Sequence, residues 1–255
     1  MTGLDLGLEG KRALVTGGSR GVGRATAELL ARAGAHVGIS YHRRAEEARR
    51  VVESVRAQGV RSWAEGGDLT DRAAVRRLFM RLDDEFDGLD IFVGNAGIWP
   101  VADVPLSMMD DERWHTTVAV NLDSIFFTTR AALQRMSDDG RVVLVSSTAG
   151  QRGEAFHSDY AATKGAIISM VKGICVEVGR RGITVNAVAP GWIDTEMSAS
   201  ALRGPERAAI DDAIPLGRVA TAEDVAGPIV MMCSPLARHI TGEILNVNGG
   251  AVLVG

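Results

Sequence analysis

Two side chains four residues apart offer the most direct chemistry in the chain: Tyr160 and Lys164, in the run Tyr160-Ala161-Ala162-Thr163-Lys164. The surrounding pattern is helical to about Val178, and positions i and i+4 share one helical face, so phenol and ammonium point into the same space. A phenol titrates near about 10 in water, and a neighbouring cation favours the phenolate. The spacing therefore predicts a Tyr160 pKa drawn down toward neutrality and a residue able to give or take a proton. The same spacing describes ordinary surface neighbours, so the pair gains meaning only from what else the chain brings to it. One detail sets the amine apart: the only lysines are Lys11, Lys164 and Lys172, against 25 arginines.

A second chemical feature is the glycine-rich run Thr16-Gly17-Gly18-Ser19-Arg20-Gly21-Val22-Gly23. It follows a strand-like segment and opens a helical pattern that runs through Ala33 and stops at Gly34. Glycine permits positive φ in a tight turn, and its missing Cβ lets the amides at a helix start approach a pyrophosphate. The spacing is G-x-x-x-G-x-G rather than the usual dinucleotide fingerprint, and no GK[ST] follows as in a P-loop. A glycine-rich turn that binds nothing stays open at this point. A dinucleotide site would carry a second feature at the end of the next strand, where a carboxylate accepts from the adenosine ribose. The chain reads Ser40-Tyr41-His42-Arg43-Arg44 there, with no acid. Arg20 and Arg43 could instead offer guanidinium forks to a 2′-phosphate, which predicts NADP(H) over NAD(H). The alternative is that these arginines merely begin a solvated helix with Glu46 and Glu47 one turn along.

The elements that must position these groups show as short, almost wholly apolar runs at 12–16, 36–40, 89–93, 141–146, 183–188 and 243–247, separated by longer segments with apolar residues three and four apart. Runs of that kind are buried on both faces, and repeated β-then-α units predict a doubly wound parallel sheet. No linker-like stretch divides the chain, so one domain is expected over residues 1–255. Between Pro190 and Pro215 the alternation breaks with no clean period, which reads as a substrate lid at about 190–215.

Composition closes off other classes. With 46% hydrophobic and 24% charged residues over 255, the chain is an ordinary globular protein rather than a disordered or fibrous one. A net charge of −4 argues against nucleic acid or anionic lipid as partner. Cys175 and Cys233 sit among apolar neighbours and read as buried free thiols, consistent with a reducing, cytoplasmic compartment. No metal cluster, signal peptide or membrane-spanning run is expected.

Six features taken together carry a resemblance: the 16–23 turn, Gly94-Asn95-Ala96-Gly97, Asn121, Ser147, the Tyr160–Lys164 run, and Pro190-Gly191-Trp192-Ile193-Asp194-Thr195. In this order and spacing the chain, from Lys11 to about Gly250, resembles a single-domain short-chain dehydrogenase/reductase. Within that family it is most similar to 3-oxoacyl-carrier-protein reductases and related ketoreductases. The resemblance implies an α/β, Rossmann-type fold with a mostly parallel seven-stranded sheet and helices on both faces. It also implies an NADPH-dependent enzyme that reduces a ketone to a secondary alcohol by hydride transfer, and a homotetramer.

Residue by residue, it implies Tyr160 as the general acid and Lys164 as the cation that lowers its pKa and holds the nicotinamide ribose. Ser147 would hydrogen-bond the carbonyl oxygen, with Ser146 as its rival, and Asn121 would support a proton-supplying water chain. The implied cofactor surface comprises Gly17, Ser19, Arg20, Gly21, Val22, Gly23, Tyr41, His42, Arg43, Asp68, Leu69, Asn95, Ala96, Gly97, Pro190, Gly191, Ile193 and Thr195, together with Tyr160 and Lys164. Of these, Asp68 would meet the adenine amino group and Asn95 the adenosine ribose. Gly94 and Asn248 depart from the family pattern, where a second asparagine and an aspartate are common. Candidate pocket residues are Trp99, Phe156, His157, Trp192 and Met197, a bulky and mostly apolar set suited to a hydrophobic or polyketide-like ketone; each could equally be ordinary lid packing. His157 could alternatively act as a second acid. An alcohol dehydrogenase running in the oxidative direction and a non-catalytic nucleotide-binding sensor are the competing readings. The apolar residues Ile125, Phe126, Phe127, Ile167, Ile168 and Val171 could serve a subunit interface or the core.

Overall fold

The computed structural model describes residues 5–203 and 205–254. In chain order the elements are β1 (Arg12–Val15), α1 (Gly21–Arg32), β2 (His36–Tyr41), α2 (Ala45–Arg56), β3 (Ser62–Gly66), α3 (Arg72–Glu85), β4 (Leu89–Gly94), α4 (Asp111–Val118), α5 (Ser124–Leu133), β5 (Met136–Val145), α6 (Thr148–Arg152), α7 (Ser158–Val178), β6 (Thr184–Pro190), α8 (Pro205–Ala213), α9 (Ala222–Cys233) and β7 (Ile244–Val247). All seven strands are parallel, in the order β3-β2-β1-β4-β5-β6-β7. The order reverses between β1 and β4, and parallel sheets open a ligand crevice beyond the strand C-termini at such a point. The register pairs Val15 with both Ile39 and Val93, so the segments leaving β1, β2 and β4 start at one level.

Helices cover both faces, which is why the strand runs are apolar throughout. Val142, Val143 and Leu144 of β5 are completely buried, each contributing about 1.5–3 kcal/mol through burial alone. One core cluster lies under α1, α2 and α9, and the other under α3, α5 and α7. The six apolar runs correspond to six of the strands; the seventh, β3, reads Ser-Trp-Ala-Glu-Gly and buries only its first two residues because it forms the sheet edge. The segment expected to be irregular from Pro190 to Pro215 contains the nine-residue α8. A small cluster of Leu202, Ile214 and Val219, with Trp192 and Ile210 against it, gives this segment its own packing.

α4 and α5 are joined without a break by a π-helical turn, Ala119–Asp123. Of the apolar residues that could have been core or interface, Ile125, Ile167 and Val171 are buried inside the chain, Phe127 and Ile168 are half-buried, and Phe126 is exposed. Among the described residues no helix is long and apolar enough to cross a membrane, and no three His, Cys, Asp or Glu side chains gather as metal ligands would.

Candidate active site

The turn after β1 is shaped by close approach. Gly17 has φ +66°, a left-handed conformation that favours glycine. A Cβ on Gly23 would lie 2.3 Å from the Gly17 carbonyl oxygen and 2.6 Å from Asn95 Nδ2. Gly23 therefore stands behind the turn and lets it fold against Asn95, rather than facing the cleft as the sequence suggested. Asn95 donates to the carbonyls of Thr16 (2.9 Å) and Gly17 (3.3 Å), while Thr16 Oγ1 accepts from the amides of Asn95 (2.9 Å) and Ala96 (3.0 Å). The side-chain amide expected beside a ribose is thus committed to stitching the exits of β1 and β4 together. At the start of α1, Arg20 gives no side-chain cap and no acid stands in the first turn. Its leading amides are left for an anion, the arrangement that suits a pyrophosphate.

The exits of β2 and β3 form the other end of the same cleft, a space of about 1060 Å³. Ser40 Oγ accepts from the Gly17 amide at 3.2 Å, and Tyr41, His42, Arg43 and Arg44 follow along the rim. Arg20 does not stand alone: Glu196 Oε2 accepts from Arg20 Nη1 at 2.7 Å and from Arg44 Nη2 at 3.1 Å. Asp68 accepts from the Thr70 amide (3.0 Å) and hydroxyl (2.8 Å). Burial would raise the Asp68 carboxyl, but the Thr70 hydrogen bonds and nearby His42 and Arg43 hold it below its ordinary value.

The wall that carries Ser147, Tyr160 and Lys164 is built where β5 runs into α6 and α7 crosses behind. Ser147 caps α6, its Oγ accepting from the Ala149 amide at 3.1 Å. Its hydroxyl also hydrogen-bonds with the Tyr160 phenol. Ser146, the rival, is buried and donates to the Lys164 carbonyl at 2.8 Å, so its proton is used. Tyr160 and Lys164 line the cleft beside Ser147. Burial pushes the Tyr160 phenol up to about 12, opposed by a hydrogen bond with Ser147 and assisted by the nearby Glu154 charge. Burial also pulls Lys164 down to about 8. The expected depression of Tyr160 by its neighbour is not what this arrangement gives. Lys164 Nζ donates to the Val145 carbonyl at 2.8 Å and lies 5.6 Å from the centre of the Tyr160 ring, so desolvation outweighs the cation.

Asn121 is fully buried within the π-helical turn, outside the cleft lining. Its Oδ1 accepts from the Ile98 amide (2.8 Å) and its Nδ2 donates to the Ile98 carbonyl (2.9 Å). The partner is therefore the loop that follows β4, not its own helix. A Cβ on Gly97 would meet Asn121 Oδ1 at 3.0 Å and Lys164 Nζ at 3.6 Å, so this glycine occupies the gap between the two.

With this geometry in view, the similarities to known proteins are specific. A family model described as enoyl-(acyl carrier protein) reductase matches residues 17–252. The chain is 39% identical over 251 residues to the 3-oxoacyl-(acyl-carrier-protein) reductase FabG of Escherichia coli K12, covering 98% of this chain and 100% of that protein. A short-chain dehydrogenase from Burkholderia cenocepacia J2315, solved in complex with NADP, superposes with a TM-score of 0.90 at 39% identity, covering 96% of this chain and 98% of the other. A blue fluorescent protein from a metagenomic library, in complex with NADPH, gives 0.91 at 33% identity, covering 96% and 99%.

The chain belongs to the short-chain dehydrogenase/reductase family. It is an oxidoreductase acting at the level of CH–OH and C=O, and its Rossmann-type sheet is the family's fold.

At its substrate end this dehydrogenase/reductase is walled by bulky side chains. Trp99, Trp192 and Met197 line the cleft, with the two indoles meeting edge to face at 5.8 Å. His157 does not line it: its ring is buried behind Trp99, stacked at 4.7 Å, with Nε2 2.8 Å from the Pro100 carbonyl oxygen. A histidine so placed supports Trp99 and has no path to a substrate. Phe156 also lies outside the lining, half-exposed, because its backbone turns through φ +66°. The remaining expected cofactor residues, Gly17, Ser19, Arg20, Gly21, Val22, Tyr41, His42, Arg43, Asp68, Leu69, Asn95, Ala96, Gly97, Pro190, Gly191, Ile193 and Thr195, all line the cleft.

The two departures from the family pattern have local causes. A side chain on Gly94 would press on Leu144 at 2.7 Å and Ile125 at 3.3 Å. Asn248 closes the last turn, accepting from the Gly250 amide and donating to the Val252 carbonyl, each at 2.9 Å. Residues that sequence reasoning missed are Arg44 and Glu196 at one end, Glu154 and Ile210 at the other, and the pair Arg113–Asp159 behind Tyr160. Asp159 has no exposed side-chain surface; it accepts from Arg113 Nε (3.1 Å) and Thr117 Oγ1 (2.8 Å). Burial would raise its carboxyl, but Arg113 and Thr117 keep it below the ordinary value.

Proposed function

We propose that the protein is an NADPH-dependent ketoreductase that converts a hydrophobic or polyketide-like ketone to a secondary alcohol, with Tyr160 as the general acid. The observation that carries the reading is the division of labour between adjacent serines. Ser146 has its proton tied to the Lys164 carbonyl, while Ser147 turns its hydroxyl to the Tyr160 phenol at the cleft, where a substrate oxygen can come between the two.

The leading amides of α1, the turn at Gly17 and Gly21, and the arginines at the β2 exit fit a dinucleotide phosphate set, and the missing acid after β2 favours a 2′-phosphate. Arg20, Arg43 and Arg44 would hold that phosphate, and Asp68, Ile193 and Thr195 the flanking parts of the cofactor. When bound, NADPH supplies the hydride. The chain's own groups do the rest. Ser147 donates to the substrate carbonyl oxygen and steadies its developing negative charge. Tyr160, held protonated by burial, gives its proton to that oxygen as the alkoxide forms. The Lys164 ammonium stands near enough to favour the resulting phenolate, and Asn121, one glycine away from Lys164, supports a water through which the proton is restored. Segment 190–215 acts as the lid that excludes bulk solvent. The exposed Phe126 on α5 and Val176 on α7 support a homotetramer built on those helices.

A panel of aryl, alkyl and acyl-thioester ketones assayed with NADPH and NADH, with one enoyl thioester as a C=C control, tests the reading. Ketone-dependent oxidation of NADPH in preference to NADH is expected. Turnover of the enoyl thioester alone, or a preference for NADH, would overturn it.

A further inference from the structure

The substrate end contains a charge that the proposed chemistry does not use. Glu154 lines the cleft with its side chain mostly covered, and Oε1 accepts from Trp99 Nε1 at 3.1 Å. The nearest cationic candidate in an ion pair with it is His157, whose Nδ1 stays 3.8 Å away, outside hydrogen-bond range. A carboxylate has about four acceptor positions, so one indole N–H leaves most of them unmet. Nothing in the mechanism requires an acid here, and its charge opposes formation of the Tyr160 phenolate.

The placement of this carboxylate is fixed by its surroundings. It lies in the loop between α6 and α7, where Gly153 and Phe156 both have positive φ, at +79° and +66°. Arg113, itself largely buried and paired with Asp159, donates to the Phe156 carbonyl at 3.2 Å and to the Ala102 carbonyl at 2.6 Å. The Val104 amide also donates to Phe156, at 3.2 Å. A strained loop whose Phe156 carbonyl is held by two donors from outside it is the kind of support that keeps a recognition group in one place. Beside the same carboxylate, the Trp99 and Trp192 edge-to-face corner offers a flat apolar wall.

Resting on the ketoreductase reading, we propose that Glu154 anchors the substrate. The natural substrate is then a ketone on a flat aromatic or fused-ring frame that bears a hydrogen-bond donor, a hydroxyl or a protonated amine, directed at this carboxylate. The ring lies against the tryptophan corner while its carbonyl faces Tyr160 and Ser147. A substrate anion at the same position meets repulsion and leaves the acceptors unpaired. Arg152, exposed at the same cleft, is the group that would favour an anion instead, so the two outcomes oppose each other.

The test uses the full-length protein with four probes: acetophenone, 3-hydroxyacetophenone, 3-(aminomethyl)acetophenone and 3-acetylbenzoate. In the wild type, kcat/KM for the hydroxyl and ammonium probes should exceed that for the carboxylate probe by about tenfold or more. In Glu154→Gln the ammonium-to-carboxylate ratio should fall by about tenfold, roughly 1.4 kcal/mol. Quenching of the tryptophan fluorescence by each probe in the presence of NADP gives the same ranking without catalysis. Failure of every probe to oxidise NADPH would count against the ketoreductase reading. A binding order that is unchanged in Glu154→Gln, or that favours the carboxylate in the wild type, would overturn the anchor.

Discussion

The two ends of the cleft each hold an ion pair, and the shorter contact is the less consequential one. At the adenosine end Arg20 meets Glu196 at 2.7 Å with about half of both side chains in solvent. Behind Tyr160, Arg113 meets Asp159 at 3.1 Å with the carboxylate wholly enclosed. Water screens the first pair and competes with it, so holding the two side chains together contributes little. The second pair has no water to fall back on, and removing one partner strands the other. Burial, rather than distance, separates a contact that fixes the wall behind Tyr160 from one that water readily replaces.

That contrast can be broken or sharpened at several points. The largest effect belongs to the wall: Tyr160→Phe should lower kcat by about 10²–10⁴-fold while NADPH still binds, as read by steady-state rates and cofactor fluorescence. Unaltered turnover would return the protein to the class of nucleotide-binding sensors. Asp159→Ala should cost about 3–5 kcal/mol and lower Tm by about 10 °C in calorimetry, because it leaves the Arg113 guanidinium without its buried partner. A loss as small as that of a surface pair would show that the wall tolerates water after all.

Lys164 tests the opposite sign. Its ammonium is lost near about 8 in the folded chain and near 10.5 when unfolded. Below the folded value the buried charge carries its full desolvation penalty; between the two values only the unfolded chain keeps the proton, so raising the pH through this window increases stability. Lys164→Met should therefore abolish turnover yet stabilise the protein at neutral pH by on the order of 2 kcal/mol, with the gain over wild type shrinking above pH 8. A destabilised variant would mean that the hydrogen bond to Val145 outweighs the burial.

At the exposed end, Arg20→Ala should raise KM for NADPH about tenfold and leave that for NADH nearly unchanged, since only the 2′-phosphate distinguishes them. The smallest change belongs to Glu196→Gln, for which Tm should stay within about 1 °C. A marked drop would place the adenosine rim among the parts that hold the fold.

What could be read in advance followed the same line. The glycine turn, the Tyr160–Lys164 spacing and the six apolar strands are local patterns, and local patterns survive in sequence. β3 escaped because an edge strand buries few residues, and α8 because its one large apolar side chain, Ile210, makes no stripe. The burial that raises Tyr160, the retreat of His157 behind Trp99 and the pairing of Arg113 with Asp159 join residues tens of positions apart; Arg113 and Asp159 are 46 residues apart. No spacing rule reaches them. Asn121 stands out in the sequence, but its partner Ile98 comes from another segment, so no local pattern shows the pairing.

The π-helical turn at Ala119–Asp123 makes chain length, as well as residue type, a constraint. It wraps one more residue into its turn than the helices on either side, and each residue turns a helix by about 100°. Deleting a single amino acid there would let the turn close as ordinary helix with α5 still in phase, at the cost of the placement that brings Asn121 to Ile98; deleting one from α4 would instead turn α5 by about 100° and carry Ile125 away from the sheet. The surplus residue is thus tolerated by the helix and used by Asn121, and a one-codon deletion here would spare the packing of α5 while costing Asn121 its partner.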